Sequence, residues 1–187
     1  MPNVIVIAGA NGAGKSTLAP YLLRDMFGIV EYVNADTIAE GLSAFAPELA
    51  AFAAGRIMLG RLKEISQTGR DFAFETTLAT RFYSGWLKQL QSKDYRFHLV
   101  YLWLENAELA IERVRARVRI GGHNVPQNIV RRRYEKSLQN LFNLYLPLAD
   151  SWQIYDASEI MPQKIAFGDK IIGRKIVKQI LWRKMQS

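Results

Sequence analysis

The stretch IAGANGAGKST, residues 7 to 17, limits what this chain can fold into more than any other. It follows the β-branched run Val4-Ile5-Val6-Ile7-Ala8, which predicts a strand buried on both faces of a parallel sheet. Gly9, Gly14, Lys15 and Ser16 satisfy the spacing G-x-x-x-x-G-K-[ST]. Glycines let the backbone turn its N–H groups inward around a phosphate, and the helix that follows points its positive end at the same place. Lys15 adds a point charge for the β and γ phosphates, and the Ser16 hydroxyl is the expected Mg²⁺ ligand. Gly9, Ala10, Asn11, Gly12, Ala13, Gly14, Lys15, Ser16 and Thr17 are therefore the expected nucleotide cradle. A helix from Thr17 to Phe27 fits, with Leu18, Tyr21, Leu22 and Met26 at helical spacing and Gly28 as its stop. The anion this loop predicts is a nucleoside triphosphate, ATP, held with Mg²⁺.

The rest of the composition narrows the setting. At 187 residues with 49% hydrophobic and 22% charged content, the chain is expected to form one domain, 1–187, around one core. The absence of cysteine excludes disulfides and thiolate metal sites, and His98 and His123 alone cannot build a metal cluster. The first apolar run is too short to span a bilayer and no basic segment precedes it, so no membrane association and a cytoplasmic setting are expected. A net charge of +8 favours polyanionic ligands without choosing among nucleotides, sugar nucleotides and nucleic acid.

Apolar runs alternate with helical patterns along the chain, the signature of stacked βαβ units. Further strands are expected at 31–34, 71–75, 97–104 and 152–155, giving an α/β fold with a parallel five-stranded sheet flanked by helices. Helices are expected at 47–68, with Leu49, Phe52, Ala53, Ile57, Leu59, Leu62 and Ile65 as its apolar face, at 82–91, and from Ala107 behind an Asn106 cap. The basic tail alternates charge with Ile171, Ile172, Ile176, Val177, Ile180 and Leu181. It reads as an amphipathic helix over about 173–185, docked on the domain rather than bound to nucleic acid or membrane.

Strand C-termini of a parallel sheet gather on one edge, where ligands bind. Strand two brings Asn34-Ala35-Asp36 there, and strand three brings Glu75-Thr76-Thr77. Asp36 reads either as the cap of a helix beginning at Thr37 or as a base accepting the proton of an attacking hydroxyl. Glu75 reads either as a solvated strand end or as a holder of substrate hydroxyls or a metal-bound water, supported by Thr77. Seven arginines, at 113, 115, 117, 119, 131, 132 and 133, flank a Gly-Gly-His-Asn-Val-Pro turn. Most of these read as a solvated helical face. The functional alternative is a glycine-hinged lid over about 113–134 that brings one or two guanidiniums to the transferring phosphoryl group. His123 reads as a hydrogen-bonding loop residue.

Taken together, GANGAGKST, NAD at 34–36, FETTL at 74–78, RVRIGGHNVP at 117–126, RRRYEKSLQNL at 131–141 and LADSWQIYDAS at 148–158 resemble the compact bacterial zeta-toxin-like P-loop proteins, often labelled predicted ABC-type ATPases. The resemblance implies an adenylate-kinase-like core and a kinase acting on a small hydroxyl substrate, in zeta toxins UDP-N-acetylglucosamine. By that likeness Asp36 is the catalytic base, Glu75 and Thr77 hold the sugar nucleotide, and Arg117 and Arg132 contact phosphates beside Lys15. It also implies an antitoxin protein as candidate partner. Zeta toxins commonly carry Glu-Gly-Thr where this chain has Glu75-Thr76-Thr77, which leaves the acceptor open. No LSGGQ-like stretch and no apolar strand ending in Asp-Glu is present, so transport coupling is not expected. Two other readings remain: a regulatory nucleotide-binding ATPase or switch, and a nucleic-acid-binding P-loop protein.

Overall fold

The computed structural model describes residues 1–26, 28–44 and 46–186, without the side chains of residues 25, 26, 47 and 48. The expected Met26 and Phe27 contacts therefore lie outside the described residues. β1 (Asn3–Gly9) feeds the phosphate loop, which opens α1 (Lys15–Pro20) and a π-helical turn (Tyr21–Met26). Next come β2 (Tyr32–Val33), α2 (Ala35–Leu42), α3 (Pro47–Ser66), β3 (Phe72–Thr76), α4 (Phe82–Gln91) and β4 (Arg96–Trp103). α5 (Ala107–Arg119) and α6 (Gln127–Asn140) form a hairpin, α6 running on through a π-helical turn (Leu141–Tyr145) into α7 (Leu146–Leu148). β5 (Ser151–Asp156), β6 (Gln163–Asp169), β7 (Gly173–Ile176) and α8 (Gln179–Gln186) complete the chain.

The sheet has seven strands in the order β2-β3-β1-β4-β5-β6-β7, not five. β1 to β5 pair in parallel, as the βαβ pattern predicts, whereas β6 and β7 add an antiparallel hairpin at one edge. The expected tail helix over 173–185 is corrected accordingly. Residues 173–176 are the outer strand and only 179–186 are helical, because Trp182 of α8 packs on the sheet against Trp152, ring centroids 6.0 Å apart.

Both faces of the sheet are covered. Val4, Val6 and Ala8 of β1 join the larger core with Phe72, Phe74, Leu99 and Trp103. Ile5 and Ile7 turn to the opposite face with Ala19, Leu23 and Val100, the alternation expected of a strand. α3 buries Ala54, Met58, Leu62 and Ile65. Leu49 and Phe52, expected on its apolar face, are 84% and 79% exposed. The sheet therefore meets α3 along a stripe offset from the one read from the sequence.

Candidate active site

The phosphate loop leaves β1 through Gly9, whose φ of 142° belongs to glycine and where a Cβ would lie 2.3 Å from the Leu102 carbonyl oxygen. Gly12, at φ 79°, passes close enough to α5 that a Cβ would touch the Ala110 carbonyl at 3.0 Å. These approaches press the loop against β4 and α5 and start α1 at Lys15. Lys15 is buried, donates to the Ala10 carbonyl at 3.0 Å and stands 3.6 Å from Glu75 Oε1. Burial lowers the Lys15 pKa from its ordinary value, an effect that Glu75 and Asp36 oppose and Arg117 reinforces.

Glu75 is not a solvated strand end, since its side chain is 8% exposed. Its Oε2 accepts from the Ser16 hydroxyl at 2.9 Å, the Tyr32 hydroxyl at 2.6 Å and Asn34 Nδ2 at 3.0 Å. Three donors on one oxygen fix the orientation of the carboxylate. Burial, with Glu75 adding to it, pushes the Tyr32 phenol pKa upward, so Tyr32 remains a donor. Tyr32 was not apparent as a site residue in the sequence. Its place is set by β2 pairing beside β3, with Val33 opposite Phe74.

Asp36 is not a helix cap. α2 begins at Ala35, two residues before the expected Thr37, and Asn34 is its N-cap, accepting from the Asp36 amide at 2.7 Å. The Asp36 carboxylate, half-buried, lines two adjoining clefts. One, of about 410 Å³, holds Lys15, Ser16, Thr17, Arg113, Arg117 and His123. The other, of about 580 Å³, holds Thr77, Thr80, Tyr83, Arg132, Arg133 and Lys136. Lys15, Asn34, Asp36 and Glu75 belong to both. Thr77 contributes to the wider cleft, and its hydroxyl accepts from the Ala79 amide at 3.5 Å.

The arginines divide by position. Arg115 and Arg119 are exposed, and Arg131 pairs with Glu108, tying the two hairpin helices together. Arg113 donates to the carbonyls of Ala157 and Ser158, each at 2.7 Å, and so pins the turn after β5. Arg117 donates to the His123 carbonyl at 2.7 Å. Arg117 Nε, His123 Nδ1 and Asn11 Oδ1 are buried without a hydrogen-bond partner and belong to residues lining the narrower cleft, which is the condition of a site whose polar groups await a ligand. Arg132 borders the wider cleft from an exposed position. Arg133, beside it and half-buried, faces Asp36, whose charge opposes the downward pull of burial on the guanidinium.

A sequence model of the family described as zeta toxin matches residues 1–161. The chain belongs to the zeta toxin family. A protein of Haemophilus influenzae (strain ATCC 51907 / DSM 11121 / KW20 / Rd), described only as uncharacterized, is 32% identical over 130 residues, 70% of this chain and 91% of that protein. Two solved structures share the fold of this zeta toxin family member. The AvrRxo1-ORF1:AvrRxo1-ORF2 complex with sulphate ions gives a TM-score of 0.81 at 13% identity, covering 100% of this chain and 64% of that one. The PezAT chromosomal toxin-antitoxin system of Streptococcus pneumoniae gives 0.62 at 19% identity, covering 83% and 68%. The α/β architecture with a central sheet is the fold shared with these structures, and zeta toxin membership supports a nucleotide-dependent kinase. Among the described residues no helix is long and apolar enough to cross a membrane.

The donor set of this zeta toxin family site suits Mg²⁺. Ser16 Oγ and Glu75 Oε2 are hard oxygen donors 2.9 Å apart, and Mg²⁺ takes few protein ligands, filling its octahedron with phosphate oxygens and water. Among the described residues no group of three or more His, Cys, Asp and Glu could hold a metal.

Proposed function

We propose that this protein transfers the γ-phosphoryl group of ATP to a hydroxyl of an anionic small molecule, with UDP-N-acetylglucosamine as the leading acceptor. The observation that carries this reading is the Asp36 carboxylate, released from capping by Asn34 and bordering both the phosphate-loop cleft and the wider cleft. In the step proposed, the acceptor hydroxyl oxygen forms a bond to the γ-phosphorus and gives its proton to Asp36. The bond from that phosphorus to the bridging oxygen breaks, and ADP leaves with the electron pair. Such a positioned base contributes about 10² to 10⁴ in rate.

Lys15 neutralises charge on the β and γ phosphates, and Arg117 closes on them from the lid. Mg²⁺, held by Ser16 and through water by Glu75, would offset charge developing on the phosphate oxygens. The wider cleft sets Arg132, Arg133 and Lys136 against Asp36 and Glu75. With Lys15 included, cations exceed carboxylates there, which favours an acceptor carrying its own phosphates, as a sugar nucleotide does. Thr77 lies in that cleft as a partner for acceptor hydroxyls. Glu75 serves the Lys15 and Ser16 side, where its hydrogen bonds are made. An antitoxin protein is the proposed partner and the cytoplasm the proposed setting.

The test is incubation with γ-labelled ATP and a panel of sugar nucleotides, sugar phosphates and small alcohols. Label on an acceptor hydroxyl supports the reading. Inorganic phosphate as the sole product across the panel would favour a regulatory ATPase instead.

A further inference from the structure

Leu78 sits at φ 57°, fully buried, between Thr77 and Ala79. A branched, bulky residue in the left-handed region is an outlier that persists only when its surroundings hold it. Asp94, the other non-glycine residue with positive φ among those described, is of a type that tolerates this conformation. Around Leu78 the holding contacts are specific. Asn140, buried at the end of α6, donates Nδ2 to the Leu78 carbonyl at 2.7 Å. The Thr76 hydroxyl accepts from the Leu78 amide at 3.2 Å, and the Tyr145 hydroxyl donates to the Thr80 carbonyl at 2.7 Å. Thr77, Ala79 and Thr80, the neighbours of this residue, line the wider cleft.

The same helix carries Arg132, Arg133 and Lys136 of the cleft's cations. Arg133, Lys136 and Asn140 are spaced by three and four residues, which places them on one face of α6. The middle and end of α6 are anchored independently. Tyr134 donates to the Leu104 carbonyl at 2.8 Å, and Ser137, fully buried, bonds the Tyr101 hydroxyl at 2.8 Å.

We propose that Asn140 is a positioning residue for the acceptor: it holds the turn after β3 in its left-handed form, so that Thr77 and Thr80 stay in the cleft in register with Arg133 and Lys136. Without that donor, Leu78 relaxes toward negative φ, and the chain direction through Thr77 to Thr80 changes. The nucleotide half of the site, built on β1 and α1, is untouched. The inference rests on the kinase reading for its kinetic consequence, while the conformational part stands by itself.

The experiment pairs Asn140→Asp, which keeps size and removes the donor, with Asn140→Leu. Steady-state kinetics use ATP and UDP-N-acetylglucosamine, and hydrogen exchange is followed at the Leu78 and Ala79 amides, with the Leu109 amide, capped by Asn106, as control. The expected result is an acceptor KM raised about tenfold with the ATP KM within about twofold. Exchange at Leu78 and Ala79 is expected to quicken about tenfold while Leu109 is unchanged. Equal rises in both KM values, or unchanged exchange at the turn, would overturn the assignment. If wild type transfers nothing to UDP-N-acetylglucosamine, that substrate reading fails and the exchange result alone decides for or against Asn140. Should both variants fail to fold, Tyr145→Phe, which frees the Thr80 carbonyl, carries the same comparison: a rise in acceptor KM alone supports the proposal and parallel rises oppose it.

Discussion

Lys15 Nζ stands 3.6 Å from Glu75 Oε1, while the other oxygen of that carboxylate takes the hydroxyl of Ser16, the next residue in the loop, at 2.9 Å. The phosphate-loop cation and its neighbouring hydroxyl thus lean on one buried carboxylate. Lys15→Ala removes the cation that a phosphate would meet. A hydrogen bond to a charged group is worth about 1.5 to 3 kcal/mol, so ATP affinity or turnover should fall by about ten- to a hundredfold or more. Calorimetric titration of ATP checks this, and affinity and turnover equal to wild type would rule out the phosphate-loop reading.

Tyr32→Phe deletes one of the three donors to Glu75 Oε2 without changing ring packing. The half-maximal Mg²⁺ concentration for turnover should rise several-fold, up to about tenfold, the effect of losing roughly 1.4 kcal/mol from a charge-assisted bond. Because burial and Glu75 both raise the Tyr32 pKa above the ordinary value, wild type should show no loss of this contact as pH approaches 10. A Mg²⁺ titration unchanged in the variant would mean that Ser16 and Asn34 suffice to hold Glu75.

The lid arginines should separate by burial. Arg133→Ala and Arg117→Ala should each lower kcat by about 10² or more with little change in ATP affinity, since a closing guanidinium acts chiefly in the transition state. Arg132→Ala, at the exposed cleft rim, should do less, and Arg119→Ala, exposed beyond the site, should be neutral. Single-turnover rates distinguish these outcomes. Equal activity in all four variants would make the arginine run a solvated face.

His98 joins three strands at the opposite sheet edge, with Nδ1 2.7 Å from the Ser151 hydroxyl and Nε2 3.0 Å from Asn3 Oδ1. Burial lowers its pKa, with Arg96 adding to that effect and Asp150 and Asp71 opposing it. A depressed folded-state value means that the unfolded chain binds the proton more tightly. The stability His98 supplies is therefore present above about pH 6.5 and lost as pH falls through its folded pKa. Urea midpoints at pH 7.5 and 5.5 should fall further in wild type than in His98→Gln, and parallel changes would contradict the assignment.

The phosphate loop, the parallel core and the Asn106 cap were legible because each is a local signal, a spacing or a periodicity that few structures satisfy. Asn34 and Asp36 show where local reading ends. Both are eligible caps, and the two-residue difference in where α2 starts decides which carboxylate or amide is occupied. Glu75 could not be placed from its strand alone, since its burial depends on Tyr32 reaching across from β2. The outer strand β7 reads as helix in the sequence because Ile171, Ile172, Ile176 and Val177 among charges suit an amphipathic helix as well as a short edge strand, and only pairing with β6 separates the two. Arg133 stood among seven arginines until α6 set it, half-buried, against Asp36.

The central claim is that Asp36 is a base and not a cap, and Asp36→Asn tests it most directly. Asn34 caps α2 in either case, so the variant should fold with an unchanged unfolding midpoint and bind ATP with an affinity within about twofold of wild type. Removing the proton acceptor should lower transfer to the acceptor by about 10² to 10⁴. The measurement is the single-turnover rate of phosphoryl transfer from γ-labelled ATP to the best acceptor of the wild-type panel, in enzyme saturated with both substrates. A folded, ATP-binding protein that scarcely transfers is the predicted result, and transfer at the wild-type rate would contradict it.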